Sequence, residues 1–477
     1  MKDLGIESHK GTYYQKSNKD LFDQLKKENK HSKYLPKIHI FPEAGLMNDP
    51  NGLAYFNDQY HVFFQWYPFG TVHGLKHWGH TTSTDLVHWS SQEFALIPNQ
   101  EYEKNGCYSG NAIEFEGKLY LFYTANYKTA EGKIPKQAIA VMDQEGNIEK
   151  YAEPIISGEV EGLSGELRDP FVFKKSDTFY MLLGGSQFHG HSYAGFGDNG
   201  ILLLYKSKNL FEWEYMGIID IPIDTGYMLE CPSLIQVDDK DVLFLSLMGV
   251  SSESQRFSNR FASIYLVGKL EIDAMYFQVE NWDEMDAGFD FYAPQAFYGK
   301  RNIPLLLAWF GCGEPEYPMK ENWKHGLTFP QQVSLEDGKF KRYPVKEIIE
   351  QFSNQQEVAT SSFNIDSPTY YLKLNEGLHF KVGKENDYWE FIYNASAGKV
   401  TISRENLRQK IDETYGSERS TFINAITSVD VFVDNSFVEV YLNKGEKVFS
   451  FNVFQEGTTT VWSPAGQLEG TLYVSEP

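Results

Sequence analysis

Ala54-Tyr55-Phe56, a turn at Asn57-Asp58, and then Tyr60-His61-Val62-Phe63-Phe64-Gln65 is the stretch that decides the fold. Runs of aromatic and β-branched residues on either side of a short polar turn read as a β-hairpin. The pattern recurs four times. Ala112-Ile113-Glu114-Phe115 precedes residues 119–123 across Glu116-Gly117, and Phe171-Val172-Phe173 precedes residues 179–183. Leu234-Ile235-Gln236-Val237 then precedes residues 242–245, and Gln295-Ala296-Phe297-Tyr298 precedes residues 303–309. Each hairpin is entered after a polar or acidic residue, namely Asp49, Ser109, Asp169, Glu230 and Asp290, at intervals of 60 or 61. A second echo, residues 83–89 against residues 207–213, is offset by 124, about two periods.

Five β-rich repeats without intervening helices predict an all-β chain with radial repetition. The expected architecture is a five-bladed β-propeller of four-stranded sheets over residues 36–344, with long loops because the period exceeds the roughly 40–50 residues of common propeller repeats. Equivalent positions of successive blades converge on the axis, so Asp49, Asp169 and Glu230 are expected at one end of one channel. Acids also cap turns, but acids that recur in phase favour convergence. Leu21, Phe22 and Leu25 predict a short amphipathic helix over 18–30, inside an N-terminal extension of residues 1–35. Val345, Ile348, Ile349 and Phe352 predict a second helix in a linker at 345–355. Many short strands at close spacing then predict a β-sandwich over 356–477, with no comparable acid cluster.

The 477 residues carry 43 Lys+Arg against 65 Asp+Glu, a formal charge of −22. That balance argues against a nucleic-acid binder or a protein held on anionic lipid. Cys107, Cys231 and Cys312 are too few and too scattered for a disulfide framework or a zinc site. No metal or other cofactor is expected. The N-terminus lacks an apolar run of signal-peptide length, and no segment approaches a membrane span. A cytoplasmic protein is the expectation. The 35 Phe, 30 Tyr and 9 Trp make a ring-lined sugar surface worth seeking.

Three converging carboxyls suit glycosidic-bond hydrolysis, which pairs an ionised carboxylate with a protonated one. Asp49 lies in Leu46-Met47-Asn48-Asp49-Pro50-Asn51-Gly52, a turn rich in donors that suits an ionised nucleophile. Glu230 follows the apolar Tyr227-Met228-Leu229 and has the reach of an acid/base. Cys231 is either a small filler or a group that tunes Glu230.

These residues resemble glycoside hydrolase family 32, the family of invertases, sucrose-6-phosphate hydrolases and fructanases. Residues 46–52 match its Trp-Met-Asn-Asp-Pro-Asn-Gly motif with Leu46 in place of Trp. Arg168-Asp169-Pro170, Glu230-Cys231, Tyr108-Ser109-Gly110 and residues 290–295 match further segments, in order. The resemblance implies a retaining β-fructofuranosidase working through a covalent fructosyl-enzyme. Asp49 would be nucleophile, Glu230 acid/base and Asp169 transition-state stabiliser. It also implies a sugar subsite of Met47, Asn48, Gln65, Trp78, Tyr108, Ser109, Arg168 and Trp309, although Trp78 and Trp309 equally suit core packing. Phe329-Pro330-Gln331-Gln332 stands where the family often has Leu-Pro-Arg-Glu, so any role of that Arg is absent or supplied elsewhere.

The implied substrates are sucrose 6-phosphate, sucrose and short fructo-oligosaccharides. A phosphate needs local positive charge in so acidic a chain, and His73 and Lys76 are the first candidates, with a basic loop at residues 320–325 as the second. The first segment is similar to that of bacterial family members acting on sucrose 6-phosphate. Two alternatives stay open: an inverting propeller of the arabinan or xylan type, and a non-catalytic fructan-binding or fructosyl-transfer protein. Pairing into a homo-oligomer through the sandwich or the first helix is open as well.

Overall fold

The computed structural model describes residues 11–187, 199–252, 256–318 and 321–475. Lys320, part of the second basic loop, lies outside them. The chain is nearly all β. Five consecutive antiparallel sheets, I to V, occupy residues 45–344, and two six-stranded sheets, VI and VII, occupy the rest. Sheets I to V begin with first strands Gly45–Phe56, Ala112–Phe115, Leu167–Lys175, Met228–Val237 and Tyr292–Tyr298.

The quoted hairpin forms as read. Asn57 and Asp58 take φ of 50° and 58°, which short polar residues tolerate best, and Phe56 pairs with Gln59. Glu116-Gly117 repeats the geometry in sheet II.

Apolar residues from each pair of consecutive sheets make separate cores. Phe63 and Trp78 of sheet I meet Leu121 and Tyr123 of sheet II, and the II–III, III–IV and IV–V cores follow the same rule. Val62 and Phe64 of sheet I also pack with Leu305 and Leu307 of sheet V. First strands are stitched to one another by side chains. Asn111 both donates to Val172 O and accepts from Val172 N, and Gln295 links Leu53 N to Gly110 O. Residues Trp323–Lys324 add a parallel strand to sheet I, tying late residues of the repeat region to its start.

The helix Lys19–Asn29 buries Phe22 edge-on against Trp66. The second helix is only Lys346–Ile349, shorter than its periodicity predicts. Val345, at its N-cap, is extended, and the strand Asn354–Thr360 begins soon after buried Phe352. No helix among the described residues is long and apolar enough to cross a membrane.

Sheets VI and VII enclose the largest core and present buried acids to the first five sheets. The carboxylate of Asp434 accepts hydrogen bonds from the backbone of Lys37, Ile38 and His39, and meets His39 Nδ1 at 2.8 Å. Glu439 accepts from Phe329 N and meets His39 Nε2. Gln331, where the family often has Arg, instead accepts from buried Arg342 at 2.7 Å. A buried cation is therefore supplied from a neighbouring strand.

Burial alone would lower the His39 pKa, but its bonds to Asp434 and Glu439 outweigh burial and raise it. Asp434 is held low despite burial by the same contacts. Removing one partner of such a buried pair strands the other. Asp434→Ala should therefore lower the unfolding free energy by about 3–5 kcal/mol in denaturant titrations. His39's stabilising charge is fully present below about pH 6.5 and is lost as pH rises through its raised value. Melting temperature should accordingly fall more steeply as pH rises above about 6.5 in the wild type than in His39→Gln.

Candidate active site

Three first strands share one irregularity. In sheets III, IV and V the ladder breaks between Arg168 and Phe171, between Glu230 and Ser233, and between Tyr292 and Gln295. Within each break a residue adopts left-handed φ: Asp169 at 65°, Cys231 at 45° and Ala293 at 50°. Each is followed by proline, Pro170, Pro232 or Pro294, which has no N–H to lend to the ladder. Such bulges bend a strand and re-aim its side chains. Sheet I breaks likewise between Met47 and Pro50, and Asp49 lies in the break.

This register corrects the expected phase. The left-handed positions recur every 62 residues, and Tyr292 rather than Asp290 occupies the place of Arg168 and Glu230. Asp290 is turned to the C-terminal sheets, where it accepts from Asn452 N at 2.8 Å and pairs with Arg404 at 3.4 Å.

Asp49, Asp169 and Glu230 do come together. The Cys231 thiol lies 3.4 Å from Asp169 Oδ2 and 3.6 Å from Asp49 Oδ2. Ser109 donates to Asp49 Oδ2 at 2.6 Å, and Asn48 donates to Oδ1 at 3.1 Å. Gln65 accepts from Asn48 and donates to Ser109, while Lys76 Nζ donates to Asn48 Oδ1 at 2.6 Å. Every member of this chain thus has a defined partner, which fixes the Asp49 carboxylate. Asp169 accepts from Cys231 N at 2.9 Å, and its own N–H donates to Thr124 Oγ1. Glu230 receives Arg168 Nε at 2.9 Å on one oxygen and the Tyr292 hydroxyl at 2.7 Å on the other.

Burial pushes the Asp49 carboxyl up, and the Glu230 charge adds to this, while the Ser109 and Asn48 bonds pull against it. Asp169 is pushed up to about 7 by burial and then by Glu230, with Arg168 opposing. Lys76 is lowered to about 7 by burial, against the attraction of Asp49. The Cys231 thiol is raised well above its usual range by burial and the three carboxylates, so it stays neutral and can donate. The cluster can hold a proton at neutral pH and present fixed donors to the others.

The remaining predicted residues divide. Arg168 bonds Glu230, half-buried Tyr108 lies where the charges of Arg168, Glu166, Glu230 and Asp169 act on it, and Trp309 lies 6.2 Å from the Tyr292 ring with an indole N–H that has no partner among the described residues. Trp78 presents no face to a ligand: it is fully buried between Phe63 and Tyr123, and its indole donates to Tyr108 O. Met47 is likewise core. His73 packs edge-on against Trp309 and is kept neutral by burial and by the charge of Lys76. Sequence reasoning missed Tyr292, Thr124 and Glu166, the last an acceptor for Arg168. The 62-residue spacing to a following proline is the signal that finds Tyr292.

Known proteins fit this picture. Residues 39–344 match the N-terminal domain model of glycosyl hydrolases family 32, and residues 372–474 match its C-terminal model. The chain is 32% identical to a sucrose-6-phosphate hydrolase of Staphylococcus xylosus, covering 94% of this chain and 92% of that one. It is 34% identical to the Bacillus subtilis sucrose-6-phosphate hydrolase, over 87% and 88% of the two chains. The solved sucrose-6-phosphate hydrolase of Lactobacillus gasseri superposes with a TM-score of 0.90 at 30% identity, over 98% and 99% of the chains. A Bombyx mori β-fructofuranosidase of this family, solved with sucrose, gives 0.84 at 27% identity, over 96% and 98%. The chain belongs to glycosyl hydrolase family 32 and is a glycoside hydrolase of the β-fructofuranosidase type.

Proposed function

We propose that the chain hydrolyses the β-fructosidic bond of sucrose 6-phosphate, sucrose and short fructo-oligosaccharides with retention. The observation that carries this is the meeting of Asp49, Asp169 and Glu230, with Cys231 touching two of them and each acid holding its own donors. Asp49 attacks the anomeric carbon of the fructosyl ring while Glu230 gives a proton to the departing oxygen. A fructosyl ester on Asp49 and a free leaving sugar result. Glu230 then takes a proton from water, whose oxygen attacks the same carbon and frees Asp49. Asp169, oriented by Cys231 N–H, accepts bonds from fructose hydroxyls that strengthen as positive charge develops.

Asn48, Gln65, Ser109, Tyr108, Arg168 and Trp309 would line the fructose subsite. Lys76 is bonded to Asn48 beside Asp49, and we assign it and half-buried His73 to this pocket rather than to a phosphate. We further infer that sheets I to V are the five blades of a propeller over residues 36–344, which the V-to-I core and the stitched first strands support. Residues 1–35 form the extension, 345–355 the linker and 356–477 the sandwich. Among relatives, the named activity toward sucrose 6-phosphate supports the phosphorylated substrate.

NMR of the freshly released fructose decides the stereochemistry: retention gives the β-anomer first, and the α-anomer would make Asp49 a base instead. Glucose release should vanish in Asp49→Asn. In Glu230→Gln, kcat on sucrose should drop about 10²- to 10⁴-fold. The same variant removes a charge that raises Asp49, so the acid limb of its residual kcat/KM profile should move to lower pH.

A further inference from the structure

A second chemistry-bearing cluster lies beyond the acid/base. The Tyr292 hydroxyl donates to Glu230, the Tyr292 ring lies 5.5 Å from Phe261, and the Arg260 guanidinium lies 5.1 Å from the Phe261 ring. Arg260 is thus two aromatic rings away from the group that protonates the leaving sugar. It is exposed, and it forms no ion pair or hydrogen bond among the described residues. It opens on a cavity of about 180 Å³, whose other wall carries Arg404 and Arg419 of the sandwich.

Three arginines and three carboxylates line this cavity, and Arg404–Asp290 is the ion pair among these described residues. Asp290 is occupied by Arg404 and Asn452 N. Asp412 is occupied by Thr414 N, and Glu314 and Asp412 both face Lys324. Arg419 has no carboxylate partner. Its Nε donates to Asn259 Oδ1 at 2.8 Å and its Nη1 to the carbonyls of Tyr415 and Glu418, at 2.9 and 2.7 Å. Its Nη2 makes no hydrogen bond among the described residues and stays open to solvent on the cavity side. With a longer contact from Nη1 to Gly416 O at 3.5 Å, four contacts through Nε and Nη1 hold the guanidinium while one edge stays unused.

We propose that this cavity binds a phosphate monoester on the leaving sugar, with Arg260 from sheet IV's approach loop and Arg419 from the sandwich donating to its oxygens. Planar guanidinium groups suit that dianion better than a point charge does. The assignment rests on the fructosidase reaction above, because Glu230 defines which side the leaving sugar occupies. It also fits the placement of Lys76, whose ammonium is already committed to Asn48. The sandwich then contributes to substrate choice and is more than a support.

Isothermal titration of the wild type with glucose 6-phosphate, glucose and inorganic phosphate reads the site without turnover. Glucose 6-phosphate should bind at least about 10-fold more tightly than either of the others, and Arg260→Ala should remove that advantage. In kinetics, Arg260→Ala should reduce the ratio of kcat/KM for sucrose 6-phosphate over sucrose about 10- to 100-fold, mainly through KM, with Arg260→Lys intermediate. Arg419→Gln should act in the same direction, with thermal melts checking that it folds. An unchanged ratio and affinity in Arg260→Ala would overturn the assignment. Equal binding of inorganic phosphate would overturn it too, by making this a free-anion site. If the wild type cleaves no β-fructoside, the fructosidase reaction is wrong, while the titration still decides whether the cavity selects a sugar phosphate.

Discussion

Everything at the active site depends on one backbone constraint, the interruption of the first strands just before their proline. A regular strand alternates its side chains between two faces, so neighbouring residues cannot both address one pocket. The break at Arg168-Asp169-Pro170 removes that restriction, and the break at Glu230-Cys231-Pro232 removes it again. Asp169 can then face Asp49, while Arg168, its neighbour, reaches Glu230. Left-handed φ at a non-glycine residue costs about 1–3 kcal/mol. Side-chain bonds such as Thr124 to Asp169 N and Cys231 N to Asp169 Oδ2 hold the strained backbone in place. The strain and the geometry that gathers the acids are the same feature.

Crowding three carboxyls raises a second demand, since none of them can be left without compensation in a poorly hydrated pocket. The compensation is unequal. Asp49 is served by neutral donors, Ser109 and Asn48, with Lys76 acting through Asn48. Glu230 has a guanidinium on one oxygen and a phenol on the other. Asp169 has a backbone N–H and a thiol, and it is the acid pushed up to about 7. Differences in partner, rather than in residue type, give the three carboxyls distinct environments.

Much of this was legible in the sequence, and the failures have identifiable causes. Hairpins alternating with polar turns carry a strong period, so the five sheets and the three acids could be read directly. The phase slipped by two residues at Asp290 because an acid at the expected interval outweighed the proline that marks the break; Tyr292 was lost with it. Trp78 differs: the resemblance implies a subsite role and the residue type equally suits core packing, and its burial against Phe63 and Tyr123 depends on packing between two sheets that no local pattern encodes. Local charge and a segment similar to that of bacterial relatives make His73 and Lys76 the first phosphate candidates in the sequence. Their neighbours Asn48 and Trp309 are 28 and 236 residues away in the chain, and only tertiary structure brings them together.

The C-terminal sheets VI and VII were the part least legible, because their polar residues have no periodic counterpart. Their buried charges explain why they are attached at all. Asp434 and Glu439 hold the segment through His39 that leads into the first strand of sheet I, and Glu439 also holds Phe329 N between strands of sheet V. Arg404 takes up Asp290, the acid at the mouth of the fifth first strand. A change in how these sheets sit would therefore be felt at sheets I and V together, the two sheets that must meet for Gln295 to join Leu53 and Gly110. Buried, paired charges suit this task better than apolar contacts, since they fix register and orientation even where their net contribution to stability is small.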